Sequence, residues 1–211
     1  SHELKTPLTS IKGFAETLKY VEDKNTREKF LSIINDETDR LTRLISDILI
    51  LSDLEQHKEF KVKEDIDVTE AIIDVYNLMK NTADKKGVKL QTECNKDVTI
   101  TGDKDKFKQM LINLIDNAIT ALAASDKSKR INIEIGENES NYIFSISNNG
   151  PMIPANLLAD IFKPGFSTKK EDGHGMGLYI VSRIVKEAGG TINVSSDEKK
   201  TCFEVELPKR Q

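Results

Sequence analysis

No apolar stretch in this sequence approaches the roughly 20 residues needed to cross a bilayer, and no signal peptide is visible, so the chain is expected to be soluble. Cysteine is scarce. Cys94 and Cys202 are the two present, and their separation matches no metal or redox spacing. That excludes a disulfide framework and reads both as small buried apolar residues in a reducing compartment. An excess of positive charge is lacking too: 31 basic residues stand against 35 acidic ones, for a net charge of -4. A broad nucleic-acid-binding surface is therefore disfavoured. No internal repeat or low-complexity tract stands out. What is there, 37% apolar and 31% charged residues over 211 positions, suffices for one large or two small cores.

Two regions differ in periodicity. Phe30, Ile34, Glu37, Leu41, Leu44, Ile48 and Leu51 recur at alternating spacings of four and three, a heptad seam with one charged interruption, which predicts a long packed helix. A shorter stripe of Leu8, Ile11, Ala15 and Leu18 precedes it, and in the turn "VEDKNT" Asn25 or Thr26 is placed to cap the second helix. A hairpin of two such helices cannot bury its apolar stripes alone. Pairing with a second copy as an antiparallel four-helix bundle is the simplest remedy, so a homodimer is expected.

Around "LEQHKEFKVKED" the seam gives way to a charged, apolar-poor stretch. We read residues 1–57 as the helical hairpin, 58–64 as a linker and 65–211 as a second domain, with His57 solvated. In the second domain, Val68, Ile72, Val75, Met79 and Ala83 trace a helix, and "VKLQTEC" and "VTITGD" read as strands. A helix from about Asp103 to Ala124 follows, then strands "RINIEIGE" and "NYIFSIS", a long glycine-containing loop, a helix through "LYIVSRIVKEAGG", and strands "TINVSS" and "CFEVELP". Helices interleaved with a mostly hairpin-linked sheet make an α+β sandwich.

At roughly 100° per residue, Phe107, Leu111, Leu114, Ile115, Ala118 and Leu122 gather on one side of "FKQMLINLIDNAITALA", and Gln109, Asn113, Asp116, Asn117 and Thr120 on the other. Such a face is either merely solvated or built for a ligand. Solvated faces favour Lys and Glu, whereas amides and a hydroxyl suit a ligand at close range, and an Asn carbonyl oxygen suits a hard cation such as magnesium. Further on, Gly173, Gly175 and Gly177 lie just ahead of a helix, where bare N–H groups and the positive helix end can receive phosphate. By itself a G-x-G-x-G is equally a flexible loop. Between the two helices, "SNNGPMIP" and "IFKPGFSTKKEDG" supply a glycine turn and a loop carrying Lys163, Ser167, Thr168, Lys169 and Lys170, placed to close over a triphosphate.

Taken in order, "LINLIDNA", "NNGPMIP", "IFKPGFSTK" and "GHGMGLYIV" resemble the N, G1, F and G2 boxes of the ATP-binding domain of histidine kinases, within the wider ATPase group of gyrase, MutL and the heat-shock chaperones. The resemblance implies ATP and Mg2+ as cofactors, with Asn117 as the magnesium ligand, Asn113 beside the phosphates, Gly175 and Gly177 bordering them, and Phe162 and Phe166 anchoring a lid. Gly150, Ser167, Thr168, Met176 and Leu178 complete the implied nucleotide contacts. Two positions depart from the pattern. Asn148 stands where the family usually has an Asp that accepts a hydrogen bond from the adenine amino group. Thr120 stands where many members carry a Lys one turn after the magnesium Asn. Phosphate neutralisation is therefore assigned to Lys169, with His174 and Lys170 as alternates.

The opening "SHELKTPLTSIKGFAETL" resembles the H box of the dimerisation and phosphotransfer domain of the same kinases. In a helix, His2 and Thr6 stand one turn apart on one face, with Glu3 about 100° around from His2. Neutral imidazole attacks a γ-phosphate in line through one nitrogen when the other gives up or shares its proton, and the adjacent Glu3 carboxylate suits that role. The implied product is a phosphohistidine, and the implied recipient is an aspartate on the receiver domain of a response regulator. The Glu-x-x-Thr pattern gives Thr6 a water-orienting role in dephosphorylating that partner. Pro7 lacks the N–H that would bond the Glu3 carbonyl, so a bend is expected beside the reactive turn.

The leading expectation is thus an active kinase core of the cytoplasm, preceded by an upstream part that includes any sensor or membrane anchor. The alternative is a non-catalytic phosphorelay or interaction module with a degenerate ATP domain, which Asn148 and Thr120 favour. An ATP-gated clamp leaves the H box unexplained.

Overall fold

The computed structural model describes residues 2–55, 63–94, 97–123, 128–167 and 175–209. The chain separates into two compact units, residues 1–56 and 57–211.

The first unit is a hairpin of α1 (His2–Thr17), a short 3-10 turn (Leu18–Tyr20) and α2 (Lys24–Glu55). Along the hairpin Leu4, Pro7, Ile11, Phe14 and Leu18 of α1 and the turn after it, and Phe30, Ile33, Ile34, Glu37, Arg40, Leu41, Leu44, Asp47 and Leu51 of α2, are buried or half-buried. The strict three-four alternation on α1 thus runs through Phe14, not Ala15, and Phe14 meets Phe30 edge to face at 4.9 Å. Leu8 and Ala15 lie one position off that line and face out. On α2, Ile48 is displaced from the expected seam for the same reason: it is 51% exposed while Asp47 takes the inward position. The charged interruption is larger than Glu37 alone, because Arg40 shares the seam and pairs with it at 3.6 Å.

The cap of α2 is also corrected. Asp23, not Asn25 or Thr26, precedes the helix, and its carboxylate accepts hydrogen bonds from the Thr26 amide at 2.8 Å and hydroxyl at 2.6 Å. Arg27 reaches back to the Val21 carbonyl at 3.3 Å, fastening the turn to the second helix.

The second unit contains β1 (Glu64–Asp67), α3 (Val68–Lys85), β2 (Val88–Glu93), β3 (Thr99–Gly102), α4 (Lys104–Leu122), β4 (Lys129–Glu137), β5 (Asn141–Asn148), α5 (Gly177–Glu187), β6 (Thr191–Ser196) and β7 (Thr201–Pro208). β1 and β3 form an antiparallel ribbon. The remaining strands form one sheet in the order β2-β4-β5-β7-β6, in which β2 and β4 are parallel and the other neighbours antiparallel. The helices cover one face of this sheet. Ile131, Ile133, Phe144, Ile146, Phe203 and Val205 alternate inward toward Phe107, Leu111, Leu114, Ile115, Ile180 and Val181. Glu134, Asn193 and Glu204 point outward from the opposite face.

Polar side chains set the helix starts: Asp67 accepts from the Glu70 amide, and Asp103 accepts from the amides of Asp105 and Lys106. α5 ends in a Schellman motif, with Gly190 donating to Val185 at 2.9 Å and Gly189 donating to Lys186 at 3.1 Å. The helical hairpin and the α+β sandwich therefore both stand as expected. The cysteines divide. Cys202 is buried, which pushes its thiol pKa up, whereas Cys94 is only half-buried, with its sulfur 2.8 Å from the Thr92 hydroxyl.

Candidate functional site

In the second unit, the polar face of α4 is half-buried along Gln109, Asn113, Asp116, Asn117 and Thr120, because the opposite stripe is packed onto the sheet. Gln109 donates to the Asn113 side-chain oxygen at 2.8 Å. Asn113 in turn donates to the Gly177 carbonyl at 3.3 Å, across 64 residues of sequence. This bond joins the N-box helix to the first residue of α5. Asn117, one turn beyond Asn113, makes no side-chain hydrogen bond among the described residues. Among those residues there is also no cluster of three or more His, Cys, Asp or Glu able to hold a metal ion. A single neutral oxygen donor fits magnesium, a cation that keeps several waters and takes the rest of its shell from phosphates.

The loop before α5 is folded back on itself. Lys163 through Phe166 make a β-turn in which Phe166 donates to the Lys163 carbonyl at 3.2 Å, with Gly165 at φ 74°. Gly165 then donates to the Gly175 carbonyl at 3.1 Å. Gly175 adopts φ 65°, and a Cβ there would overlap the backbone of Gly165 and Phe166. The F box and the second glycine box are thereby held backbone to backbone. Phe162 is half-buried and meets Phe203 of β7 edge to face at 6.3 Å. Phe166, Ser167, Met176 and Leu178 are half-buried around the same junction, while Lys163 is exposed and pairs with Asp160 at 2.5 Å. Met176 precedes α5 without capping it through its side chain. Among the described residues no side chain caps the first amides of α5, the kind of group that receives an anion.

Asn148 ends β5, paired with Ile131 on one side and Thr201 on the other. It is 4% exposed, and its amide nitrogen has no hydrogen-bond partner among the described residues. Gly150 is also buried, and a Cβ there would come within 2.8 Å of that nitrogen and 3.5 Å of Leu122 on α4. The neighbouring Asn149 is employed differently. Its oxygen accepts from the Arg130 amide at 2.8 Å and its nitrogen donates to the Ser128 carbonyl at 2.5 Å, which ties the turn to β4.

The first unit holds the other candidate cluster. His2 and Glu3 belong to the first turn of α1, and their side chains lie outside what is described. Thr6 is exposed beside an open groove lined by Lys5, Thr9, Gly13, Phe14 and Phe30. α1 continues as helix through Pro7, whose ring is buried in the hairpin seam. His57, Thr168, Lys169, Lys170, Gly173 and His174 lie outside the described residues.

The structure thus brings together Asn113, Gly175, Gly177, Phe162, Phe166, Ser167, Met176 and Leu178 around the α4–α5 junction, with Asn117 farther along α4 and Asn148 and Gly150 beside that helix's last turn. Gly165 was missed from sequence. Its signal was present in the Pro164-Gly165 dipeptide, which favours a type II turn.

Residues 102–211 match the family model described as "Histidine kinase-, DNA gyrase B-, and HSP90-like ATPase", and residues 1–57 match the "His Kinase A (phospho-acceptor) domain". Sporulation kinase A of Bacillus subtilis (strain 168) is 33% identical over all of this chain, which covers 34% of that protein. The chain spans between a third and a half of the length of the curated relatives it matches. Among solved structures, histidine kinase ThkA in complex with response regulator protein TrrA is 31% identical with a TM-score of 0.73, covering 99% of this chain and 59% of that one. Full-length ShkA in complex with AMPPNP is 26% identical with a TM-score of 0.74, covering 98% of this chain and 44% of that one.

Proposed function

We propose a function for a chain that belongs to the histidine kinases through both its phospho-acceptor domain and its ATPase domain: His2 takes the γ-phosphoryl group of ATP and passes it to an aspartate on the receiver domain of a response regulator. The observation that carries the nucleotide half of this reading is the Asn113–Gly177 hydrogen bond, which joins two motifs separated by 64 residues. Likeness to ShkA, solved with AMPPNP, and to ThkA, solved with a response regulator, supports the donor and the recipient.

In this reading the first amides of α5 and the glycine-bordered turn receive the phosphates. Lys169, with His174 and Lys170 as alternates, neutralises their charge. Asn117 is the residue that holds Mg2+ through its side-chain oxygen, and the ion supplies charge neutralisation on the transferring phosphoryl group. Phe162 and Phe166 anchor the loop that closes over the nucleotide. Glu3 shares the proton on the far nitrogen of His2, leaving the near nitrogen free to attack phosphorus. Thr6 orients a water that hydrolyses the partner's acyl phosphate. The hairpin dimerises as a four-helix bundle. Leu8, Leu31, Ile45, Ile48 and Leu49, exposed along the single hairpin, support this, since a soluble chain rarely leaves such a set in water. No described helix is long and apolar enough to cross a membrane. The need for ATP and a receiver domain assigns this part of the protein to the cytoplasm.

Incubation with γ-labelled ATP and magnesium tests the reading. Acid-labile, base-stable label that disappears in His2→Gln is expected. Absence of label under broad conditions refutes it and favours a non-catalytic interaction module. In the same assay Thr6→Ala should slow dephosphorylation of the receiver while sparing autophosphorylation; equal loss of both removes the role given to Thr6.

A further inference from the structure

Among the described residues, two polar side chains are fully buried in the second unit, Asn148 and Thr201, and they face each other across β5 and β7. Thr201 is engaged: its hydroxyl lies 2.6 Å from that of Ser196, which accepts from the Ile153 amide at 2.8 Å. Asn148 is not. Among the described residues its amide nitrogen is a buried donor without an acceptor, beside Gly150 and the last turn of α4. A buried unpaired N–H is costly, so it marks a strained site, a place for an ordered water, or a donor kept for a ligand acceptor. A Cβ at Gly150 would come within 2.8 Å of that nitrogen, so the amide sits where it does because the residue beside it is glycine.

We propose that Asn148 relaxes base selection, so that the proposed nucleotide site takes guanine nucleotides alongside adenine nucleotides. This inference rests on the nucleotide reading given above. The chemistry follows from the two sides of a carboxamide. A carboxylate at this position only accepts hydrogen bonds; it holds the adenine amino group and repels the carbonyl oxygen of guanine. A carboxamide carries an acceptor and a donor, and a half-turn of its terminal torsion exchanges them. In one orientation the Asn148 oxygen accepts from the adenine N6 amino group while the nitrogen donates to an adjacent ring nitrogen. In the other, the nitrogen donates to guanine O6 and the oxygen accepts from guanine N1–H. The unpartnered Asn148 nitrogen is the donor that guanine O6 requires. Asn149 does not substitute, because both ends of its amide are occupied by β4 and the strand's approach.

Direct titration of the whole chain with ADP and with GDP, in magnesium and followed calorimetrically, decides the matter without reference to turnover. The two dissociation constants are expected to lie within about tenfold of each other. In Asn148→Asp, the ratio should open to roughly a hundredfold or more in favour of ADP, since a site that leaves buried polar groups unpaired against the wrong ligand rejects it by large factors. Tight ADP binding by the natural chain with GDP weaker by roughly a hundredfold or more overturns the inference and leaves the nucleotide reading standing. Binding of neither nucleotide by the folded protein overturns both. The natural chain alone settles the question if Asn148→Asp does not fold.

Discussion

Replacing Gly175 by alanine tests whether the junction between the two loop ends governs nucleotide binding. Gly175 has φ 65°, where a residue with a side chain is disfavoured by about 1–2 kcal/mol. Its Cβ would also collide with the carbonyl carbon of Gly165 and the carbonyl group of Phe166, which are backbone and cannot rotate away. The Gly165–Gly175 hydrogen bond at 3.1 Å must then lengthen or break. Counting the conformational term alone, about 1–2 kcal/mol lowers the population of the closed junction by about 5- to 30-fold, and apparent affinity falls by the same factor when binding requires it. The clash makes this a lower bound.

Gly189 supplies the control. It has φ 73°, but nothing lies within 4 Å of its Cβ position, and it sits at the far end of α5. Gly189→Ala should therefore carry the same conformational cost without the collision. We expect its melting temperature to fall by about 2–4 °C per kcal/mol, with nucleotide affinity preserved. Gly175→Ala should show the opposite: loss of affinity for a fluorescent ATP analogue with little change in melting, because among the described residues the loop between Phe162 and Gly175 adds no side chain to the buried core, whereas Gly189 closes the hydrogen-bonded end of α5. Undiminished affinity in Gly175→Ala, or affinity loss matched by Gly189→Ala, would refute the argument.

The dimer proposal predicts that Ile45→Lys, on the exposed stripe of α2, converts the protein from dimer to monomer in sedimentation while leaving the helical content of the hairpin intact; a persisting dimer removes that face from the interface. The α2 cap predicts a pH dependence. Hydrogen bonds from the Thr26 hydroxyl and amide hold the Asp23 carboxyl below its ordinary value of 3.8. With a folded-state pKa below the unfolded one, the carboxylate stabilises the hairpin above the unfolded pKa, and this contribution is lost as pH falls through the folded pKa. Circular-dichroism melts of the natural chain and Asp23→Asn, taken from about pH 6 to about pH 3, should therefore converge toward acid. A gap that persists or widens contradicts the assignment.

The helices were legible because their periodicity is local. The stripe of Val68, Ile72, Val75, Met79 and Ala83 is buried in α3 as read, and α4 begins at the Asp103 cap. β1 was not legible. Three of its four residues are acidic, and its only apolar side chain, Ile66, is 1% exposed. It is a strand because β3 offers it a partner in register, which no pattern inside "EDID" encodes. The hairpin errors have a related origin. Heptad spacing admits two neighbouring apolar lines on each helix, and the choice between them depends on which faces α1 and α2 turn to each other. The edge-to-face pair of Phe14 and Phe30 marks that choice, with Asp47 half-buried on α2 where Ile48 is exposed.

Adjacent identical letters show where the site stopped being readable. Asn148 and Asn149 differ in nothing the sequence displays, yet one side chain is tied to the start of β4 and the other leaves its amide nitrogen unpaired among the described residues, beside Gly150. Alternation along β5 decides this: Phe144, Ile146 and Asn148 fall on the helix-covered face, and Asn149 begins the turn. The strand's pleat therefore places a polar group where its predecessors place hydrocarbon. A residue in that position is stable only when a partner satisfies it. Gly175 was legible because its positive φ is a local backbone demand. What joins the motifs, Gly165 to Gly175 and Asn113 to Gly177, is long-range and belongs to the fold. In the proposed reading base selection rests on Asn148, and its place at the end of β5 beside Gly150 is likewise set by strand pairing with β4 and β7 and not by its neighbours in sequence.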